Sequence, residues 1–388
     1  MKIVYIHTDP FPSPMAGSVF ALSTAIGLAE AGHNTTLVMP SAGLSVAQAI
    51  AYYGRDLPAN LRVILPAAQA FGVGPLRFTW NGPYYRAVLR LLETELREAD
   101  AAIVRTLKLA SFLVERRSPI PIFYEMHDWY ADVRRKWAGA EWMISAKKLR
   151  DEMALEKMER ATAPRVAGLI TLRRATAAVV RESYPSAVVE TIPTGLNAPS
   201  RLPAVSEDCV AVYAGQLHPH KGFDVLFEAA RLTPEMRLLI IGGGPWLAHW
   251  TKSAQQLGIA NRVSFTGHLP SAQVPEYLAQ GRVGVLPLLD CFFNRYLTSP
   301  LKIMEYYAAG LPVVTPDAPV TAEVVEHEVT GLLVPFGDAQ ALADAIMRLC
   351  ADRDLHARCR ENIAARLPEM SWKRRGEKIG AFVARVRK

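Results

Sequence analysis

The 388-residue sequence predicts an α/β protein built from two consecutive doubly wound domains. Three observations predict this fold class: two runs of alternating apolar strands and amphipathic helices, a proline-containing break between them, and a hydrophobic share of 50%. Near-continuous apolar strands are typical of parallel sheets that are covered by helices on both faces. At roughly 100–200 residues per domain, the length also favours two domains.

The first run of elements predicts an N-terminal domain over residues 1–200. It begins with an apolar strand at residues 2–7, a loop rich in Pro and Gly, and a helix at 18–31 that Gly32 ends. Further strands are predicted at residues 35–39, 61–65, 101–105, 120–125 and 166–171, and further helices at 84–98, 107–116, 130–162 and 173–183.

The second run predicts a C-terminal domain over residues 201–370. Before it, Ile192–Pro203 contains three prolines and one glycine and is interpreted as the linker. Strands are then predicted at residues 210–213, 237–241, 262–265, 284–288 and 313–315, each followed by a loop and a helix. A terminal helix within residues 371–388 is expected to pack back on the N-terminal domain.

Architecture alone gives one functional indication. Ligands of doubly wound sheets bind beyond the carboxyl ends of the strands. Two such Rossmann-like domains facing each other would form a deep interdomain cleft, in which a donor and an acceptor bind opposite walls and are shielded from water.

Composition excludes several classes of protein. The four cysteines form no CxxC pair and fit no metal-binding spacing, so reduced thiols and no metal site are expected. The first apolar run, Ile3–Ile6, is too short for a signal peptide, and no stretch approaches the roughly 20 apolar residues of a membrane span. The sequence thus predicts a cytoplasmic protein, with the inner face of the membrane as a further location. Its net charge of +7 allows anionic partners without identifying one.

A helix start near residue 300 is the strongest local signal. Ser299 is a good N-cap, and the first backbone N–H groups, at Leu301 and Lys302, would form an anion site reinforced by the helix dipole. Lys302 and Glu305 share one face, so the first can approach phosphate and the second can accept hydrogen bonds from sugar hydroxyls. An ordinary capped helix with a surface Lys–Glu pair is the equally weighted alternative.

A second signal follows the strand at 210–213, which runs into a loop containing glycine. Lys221 in this loop is well placed to neutralise a leaving diphosphate, and Gln216 can donate an amide hydrogen bond to the same group. The pair His218 and His220 has no third partner for a metal, so solvated histidines are favoured.

Two further candidates lie in the first half. Gly17, after the first strand, allows the backbone to approach a phosphate or sugar closely, or it is simply a turn residue. His127 follows the strand at 120–125 and can hydrogen-bond the reacting sugar, with Asp128 either orienting it or capping the next helix. On position alone, a lone histidine is more often structural. The glycines of Ile241–Pro245 lack the GxGxxG spacing, so dinucleotide binding is poorly supported.

Nearly the whole chain resembles the retaining glycosyltransferases of family four, which have the GT-B fold of two facing domains. Seven elements occur in the family's order and spacing. They are Gly17, His127, residues 192–197 (IPTGLN), 215–222 (GQLHPHKG), 241–245 (IGGGP), 263–267 (VSFTG) and 305–314 (EYYAAGLPVV).

The resemblance implies roles for individual residues. Glu305 would bind the ribose hydroxyls of the nucleotide and Lys221 the donor diphosphate, with Gly17 beside that diphosphate and His127 near the transferred sugar. The implied catalytic residues are His127, Lys221 and Gln216. Contacts to the donor diphosphate are implied for Gly17, Lys221, Ser299, Leu301 and Lys302, and contacts to the base region for Gly243, Gly267 and His268.

Two positions depart from the family pattern. Leu297 stands where the first glutamate of the E-x7-E motif is expected, and Gln216 stands where arginine is usual. The SPLK sequence at 299–302 is similar to a branch in which Ser299 and the helix-start amides take over donor contacts. Lys221 is then the only side chain of its loop with a full positive charge.

The resemblance predicts transfer of a sugar, with retention, from a nucleotide diphosphosugar to a saccharide or lipid-linked acceptor in bacterial envelope glycan or glycolipid biosynthesis. The nucleotide diphosphosugar is the donor substrate, and neither cofactor nor metal is expected. A non-hydrolysing sugar-nucleotide epimerase and a catalytically silent partner subunit are the alternatives. A nucleic-acid partner is not expected, because no readout module accompanies the basic residues.

Two basic segments predict peripheral contact with an anionic membrane. Residues 134–150 carry six basic residues against one acid, with aromatic residues among them, and residues 366–388 carry eight basic residues against two acids. A solvated helix face with its aromatic residues in the core is an equally weighted alternative.

Overall fold

A computed structural model describes residues 1–13, 15–66, 71–73, 76–78, 82–140, 142, 144–270, 273–299 and 301–387. The chain divides into two compact units. Unit 1 comprises Met1–Val133, Ala146–Gly195 and Met370–Lys388, and unit 2 comprises Arg134–Ser145 and Leu196–Glu369. Among the described residues, no helix combines the length and the hydropathy that crossing a bilayer requires.

The strands of unit 1 confirm the predicted parallel sheet. They are β1 (Lys2–Ile6), β2 (Asn34–Val38), β3 (Leu61–Ile64), β4 (Phe71–Val73), β5 (Leu76–Phe78), β6 (Ala101–Val104), β7 (Ile122–Met126), β8 (Gly168–Thr171) and β9 (Val189–Thr191). Seven form one parallel sheet in the order β3-β2-β1-β6-β7-β8-β9, while β4 and β5 pair in antiparallel fashion. Every residue of β6 and β7 is buried, as expected for central strands covered on both faces.

The helices of unit 1 include the C-terminal one. They are α1 (Ala16–Glu30), α2 (Val46–Ala51), α3 (Gly82–Glu93), α4 (Leu107–Glu115), α5 (Val133–Lys136), whose last three residues belong to unit 2, α6 (Ala146–Thr162), α7 (Arg174–Ser183) and α15 (Trp372–Val386). Helix α15 packs on α1, where Gly27 and Gly376 let the two backbones approach closely. Its residues Ile379, Phe382 and Val383 are part of the hydrophobic core of unit 1.

Unit 2 has a parallel sheet of six strands. They are β10 (Val210–Ala214), β11 (Arg237–Ile241), β12 (Val263–Gly267), β13 (Val283–Val285), β14 (Val313–Pro316) and β15 (Gly331–Val334), in the order β12-β11-β10-β13-β14-β15. The helices are α8 (Phe223–Leu232), α9 (Leu247–Gln256), α10 (Val274–Leu278), α11 (Leu301–Ala308), α12 (Pro319–Ala322), α13 (Ala339–Ala351) and α14 (Arg353–Arg366).

The prediction of one helix over residues 130–162 is wrong. Helix α5 ends at Lys136 and α6 begins at Ala146, and Gly139 between them has φ of +74°, a left-handed conformation that interrupts a helix. The interrupting segment also departs from the predicted domain boundary, because Arg134–Ser145 clusters with unit 2. There, the ring of Trp137 stacks on Phe293 with centroids 5.4 Å apart.

The prediction that all four cysteines are reduced is also wrong. Cys209 and Cys350 form a disulfide, with Cα atoms 5.3 Å apart, while Cys291 and Cys359 are buried free thiols. The fold brings the residue before β10 next to the last turn of α13, across 141 positions of sequence. Spacing along the sequence carries no signal for such a long-range pair.

Candidate functional site

Unit 1 has a cavity of about 480 Å³ at the carboxyl edge of its sheet. The strand order reverses between β1 and β6, and the loops after these two strands both line the cavity. Such a reversal point is where doubly wound sheets bind ligands. His7, Asp9, Gly17, Arg105 and His127 are among the lining residues, so the structure brings the predicted Gly17 and His127 together.

Gly17 lies directly over a polar cluster in this cavity. A Cβ atom at this position would lie 2.2 Å from Asp9 Oδ2, 2.8 Å from Arg105 Nη1 and 2.8 Å from His7 Nε2. His7 Nε2 is itself 2.8 Å from Asp9 Oδ2, and this hydrogen bond is the largest influence that lowers the pKa of Asp9. The structure therefore gives a reason for glycine here that is independent of any ligand.

His127 immediately follows β7, and protein groups engage both of its ring nitrogens. Nε2 is bonded to Glu125, and Nδ1 lies 3.2 Å from Arg105 Nη2. Burial lowers the pKa of His127 to about 4, with a smaller contribution from the charge of Arg105. Glu125 acts in the opposite direction and raises this pKa. The ring is consequently neutral at pH 7. Asp128 accepts the backbone N–H of Trp129, so Glu125 is the carboxylate that holds Nε2.

Sequence analysis does not identify the buried network behind His127. Glu125 has no exposed surface, and its carboxylate contacts the Tyr5 hydroxyl at 3.1 Å and Arg375 Nη2 at 2.8 Å. Burial alone would raise the pKa of Glu125, but Arg375, His127 and Arg105 lower it to about 2. The one sequence signal for this network is a glutamate at the end of an otherwise apolar strand, since a buried glutamate requires partners.

In unit 2, the loop after β10 holds Lys221 at the sheet's carboxyl edge. Lys221 ends a short 3₁₀ turn, and Gly222, with φ of +75°, leads into α8 as predicted. The amide of buried Asn294 donates to the carbonyl oxygens of His220 and Leu289, at 3.0 and 2.8 Å, which anchors the loop. Burial, together with the charge of Lys302, lowers the pKa of Lys221 to about 8, although Cys291 raises it.

Helix α11 carries the predicted Lys–Glu pair. Lys302 Nζ lies 2.9 and 2.8 Å from the two carboxylate oxygens of Glu305, so both side chains share a face as expected. Two details of the predicted helix start need correction. The Ser299 hydroxyl is buried and has no hydrogen-bond partner among the described residues, so it does not cap the helix. The Leu301 N–H donates to the Ser299 carbonyl oxygen at 2.8 Å.

The residues predicted for the base region lie together beside the loop that holds Lys221. Gly242 pairs with Gly267, and a Cβ on Gly243 would lie 3.1 Å from the His268 backbone nitrogen. The Leu217 N–H donates to the Gly243 carbonyl oxygen at 3.2 Å, which joins this region to the Lys221 loop.

Gln216 is held through its backbone, since its carbonyl accepts the Tyr213 hydroxyl at 2.9 Å. Its side-chain oxygen lies 3.0 Å from His218 Nε2. A Cβ on the preceding Gly215 would lie 3.6 Å from Lys302 Cε, so the loop and α11 are neighbours. Within the described part of the chain, no group of three or more His, Cys, Asp or Glu is arranged to hold a metal ion.

The fold places candidate residues at the carboxyl edges of two parallel sheets, and comparison with protein families identifies the class of protein. A model described as Glycosyltransferase Family 4 matches residues 17–198, and one described as Glycosyl transferases group 1 matches residues 197–366. The chain therefore belongs to the family-four glycosyltransferases, which confirms the resemblance seen in its motifs.

Individual relatives match over shorter segments. The GDP-mannose-dependent alpha-(1-6)-phosphatidylinositol monomannoside mannosyltransferase of Mycobacterium tuberculosis (strain H37Rv) is 32% identical over 155 residues, which cover 39% of this chain and 40% of the relative. The amylovoran biosynthesis glycosyltransferase of Erwinia amylovora is 33% identical over 138 residues, 34% of each chain. These matches span well under half of each relative's length.

Solved structures are similar over nearly the whole chain. Sucrose-phosphate synthase from Thermosynechococcus elongatus has a TM-score of 0.73 at 18% identity and covers 99% of this chain and 98% of its own. Anabaena HepE, in complex with UDP and glucose, has a TM-score of 0.70 at 18% identity and covers 99% of both chains. At this identity the similarity concerns the fold, and it confirms two doubly wound α/β domains of the GT-B type.

Proposed function

We propose that this protein transfers a sugar from a nucleotide diphosphosugar to an acceptor, with retention of anomeric configuration. The observation that carries the proposal is the grouping of Lys221, Lys302 and Glu305 at the carboxyl edge of the unit 2 sheet. Two neighbouring ammonium groups suit a diphosphate, and a carboxylate beside them suits ribose hydroxyls. The names of similar proteins, one dependent on GDP-mannose and one bound to UDP, support a nucleotide-linked donor.

The donor would rearrange the pair on α11. Glu305 is neutralised by Lys302 in this structure. When a donor binds, the ribose hydroxyls donate to Glu305, and Lys302 turns toward the diphosphate. Lys221 and Lys302 then stabilise the negative charge that develops as the sugar leaves, which lowers the barrier more than it strengthens ground-state binding. With these two cations in place, the proposal requires no divalent metal and no cofactor.

We propose that the acceptor attacks the sugar on the same face that the diphosphate leaves, which retains the anomeric configuration. Asp9 lines the unit 1 cavity and is engaged by His7, and Glu125, buried behind His127, is engaged by Arg375 and His127. Neither is free to form a covalent bond to the sugar. The departing phosphate oxygen then accepts the proton of the acceptor hydroxyl, which balances the transfer without a protein base.

Replacing Glu305 with alanine is expected to raise the donor KM by about 10–100-fold with kcat changed less than about threefold, since hydrogen bonds to a charged group contribute roughly 1.5–3 kcal/mol. Initial rates at varied donor concentration measure this effect. Glu228→Ala is a matched control, because Glu228 forms a similar i,i+3 pair with Arg231 on the surface of unit 2. A donor KM unchanged in the Glu305 variant would remove Glu305 from the donor site.

The unit 1 cavity is the proposed acceptor site. Tyr85 and Tyr130 line it together with the charged residues after β1 and β6, a mixture of aromatic faces and hydrogen-bonding groups that suits a saccharide. We assign the acceptor to the class of saccharides or lipid-linked saccharides of bacterial envelope glycans. The names of the mycobacterial and Erwinia relatives support this assignment.

We propose peripheral contact with the inner face of the membrane, through fewer residues of the basic segment than the sequence predicts. Trp137 and Lys136 of the basic segment are buried, whereas Trp142 is 62% exposed. The exposed residues Lys147, Lys148 and Arg150 follow at the start of α6. Co-sedimentation with anionic vesicles at low salt tests this proposal, with neutral vesicles as the control. Equal recovery with both kinds of vesicle would exclude it.

A further inference from the structure

The terminal helix contributes a buried arginine to the surroundings of His127. Arg375 is only 2% exposed, and its Nη2 lies 2.8 Å from Glu125 Oε2. Its Nη1 donates to the carbonyl oxygens of Ile192 and Pro193, at 2.7 and 2.8 Å. The guanidinium group is therefore fixed by the backbone after β9 and directed at a carboxylate of β7.

Glu125 links that arginine to His127. One carboxylate oxygen faces Arg375 and the Tyr5 hydroxyl, and the other is bonded to His127 Nε2. A buried carboxylate without partners is strongly disfavoured, so these groups keep Glu125 ionised and in place. As an ionised carboxylate it can only accept a hydrogen bond, and Nε2 must therefore carry the proton.

Arg105 defines the other side of the ring. Its Nη2 lies 3.2 Å from His127 Nδ1, and a guanidinium group can only donate hydrogen bonds. Nδ1 must consequently be unprotonated and act as the acceptor. The ring also packs edge-on against Phe20, with centroids 4.7 Å apart, which limits its rotation.

We propose that Glu125 and Arg375 are positioning residues that hold His127 as the neutral Nε2–H tautomer, with Nδ1 available as a hydrogen-bond acceptor. The inference rests on the proposed function and places a hydroxyl of the transferred sugar, beside the acceptor in the unit 1 cavity, at Nδ1 in place of Arg105. Neither Glu125 nor Arg375 contacts the reacting atoms. Through Arg375, the terminal helix becomes part of the support of the reaction site.

Charged and titratable groups surround the ring from several elements. They are Tyr5, His7 and Asp9 on or after β1, Arg105 and Lys108 after β6, Glu125 and Asp128 on or after β7, Tyr130, and Arg375 of α15. Removing the charge of Arg375 takes away a cation that opposes protonation of the His127–Glu125 pair. The pair then binds its proton at higher pH, and Arg375→Lys, which keeps the charge, should shift this titration less than Arg375→Met.

Nitrogen-15 NMR of histidine-labelled protein reads the tautomer directly, with the His127 signals assigned by their loss in His127→Gln. In the wild-type protein at pH 7.5 we expect a protonated Nε2 and an unprotonated Nδ1. An Nδ1–H tautomer, or an imidazolium at that pH, would overturn the proposal. This measurement requires no enzymatic activity, so it remains decisive even if the proposed function fails.

Arg375→Met is expected to raise the titration midpoint of His127 by about 1–3 pH units. It should also lower kcat by about 10²-fold with the donor KM within twofold of wild type, since small misplacements of a reacting group cost that much. Arg374→Ala is the matched control, because Arg374 is the exposed neighbour that pairs with Glu377 on the same helix. Arg375→Lys restores the charge and should recover part of kcat.

Each outcome of this series decides a separate question. A His127 midpoint that is unchanged in Arg375→Met contradicts the positioning role. If Arg375→Met does not fold, the tautomer of the wild-type protein and the His127 midpoint of Arg375→Lys decide instead. A His127 midpoint below that of wild type in Arg375→Lys contradicts the positioning role. A shifted midpoint in a protein without transferase activity supports positioning and refutes the proposed function.

Discussion

Lys221→Met is expected to lower kcat by about 10²–10³-fold, the loss typical of removing one preorganised group that stabilises developing negative charge. Methionine keeps most of the apolar stem of lysine, so the variant removes the charge with little change in packing. Initial rates at saturating donor measure the effect. The donor KM should change much less than kcat, because the charge on the diphosphate increases as the bond to the sugar breaks.

The fold should survive this substitution. Burial and the charge of Lys302 lower the pKa of Lys221 to about 8 from its ordinary 10.5, so the unfolded chain holds this proton more tightly than the folded protein. The charged lysine therefore opposes folding below pH 8, and stability rises with pH between about 8 and 10.5. Thermal unfolding at pH 7 should give Lys221→Met a Tm equal to or above that of wild type.

The same titration gives a pH dependence. In the proposed mechanism the active form carries a protonated Lys221, so kcat/KM for the donor should decline as pH rises through about 8. Lys252→Met, an exposed lysine of α9, is the matched control and should leave kcat unchanged. Near-normal turnover of Lys221→Met with a normal Tm would remove Lys221 from the reaction.

Gly17→Ala is the second substitution with a large expected effect, a loss of about 10²-fold in kcat/KM. Alanine is a better helix former than glycine by about 0.5–1 kcal/mol, so propensity alone predicts a stabilised α1. The new Cβ would, however, lie 2.2 Å from Asp9 Oδ2 and 2.8 Å from Arg105 Nη1. These atoms end flexible side chains, so the clash is relieved by displacing the polar cluster rather than the backbone.

The expected result for Gly17→Ala is therefore a folded protein with a disturbed cavity. Kinetics and thermal unfolding together measure both parts. Val19→Ala, an exposed position two residues along the same helix, should affect neither. Wild-type kcat/KM in Gly17→Ala would show that the polar cluster around Asp9 and Arg105 has no part in the reaction.

Local patterns carry most of the fold. Central strands such as β1 and β6 are predictable because their apolar residues are buried on both faces. Strand β9 lies at the edge of its sheet and has three residues, so its sequence lacks a distinctive pattern. The helix over 130–162 is wrong because Gly139 adopts a turn conformation that a count of helix-favouring residues does not reveal.

Contacts between residues far apart in sequence limit how much of the candidate site can be predicted from the sequence. The positions of Lys221 and His127 at the sheet edges are predictable because both residues follow strands, and strand ends in parallel sheets share one edge. Arg375 reaches the Ile192 carbonyl across 183 positions, and its contact with Glu125 depends on the packing of α15 against α1. The Cys209–Cys350 disulfide has the same character. No local pattern identifies such partners, and only the fold brings them together.

Product analysis of the reaction distinguishes a retaining glycosyltransferase from the alternatives. The protein is incubated with UDP- and GDP-sugar donors, with and without a saccharide or lipid-linked acceptor, and the new linkage is examined by NMR. We expect release of nucleoside diphosphate coupled to transfer only when acceptor is present, with the anomeric configuration of the donor retained. Conversion of the donor to a second nucleotide sugar without acceptor would identify an epimerase instead, and an inverted linkage would contradict the proposed mechanism.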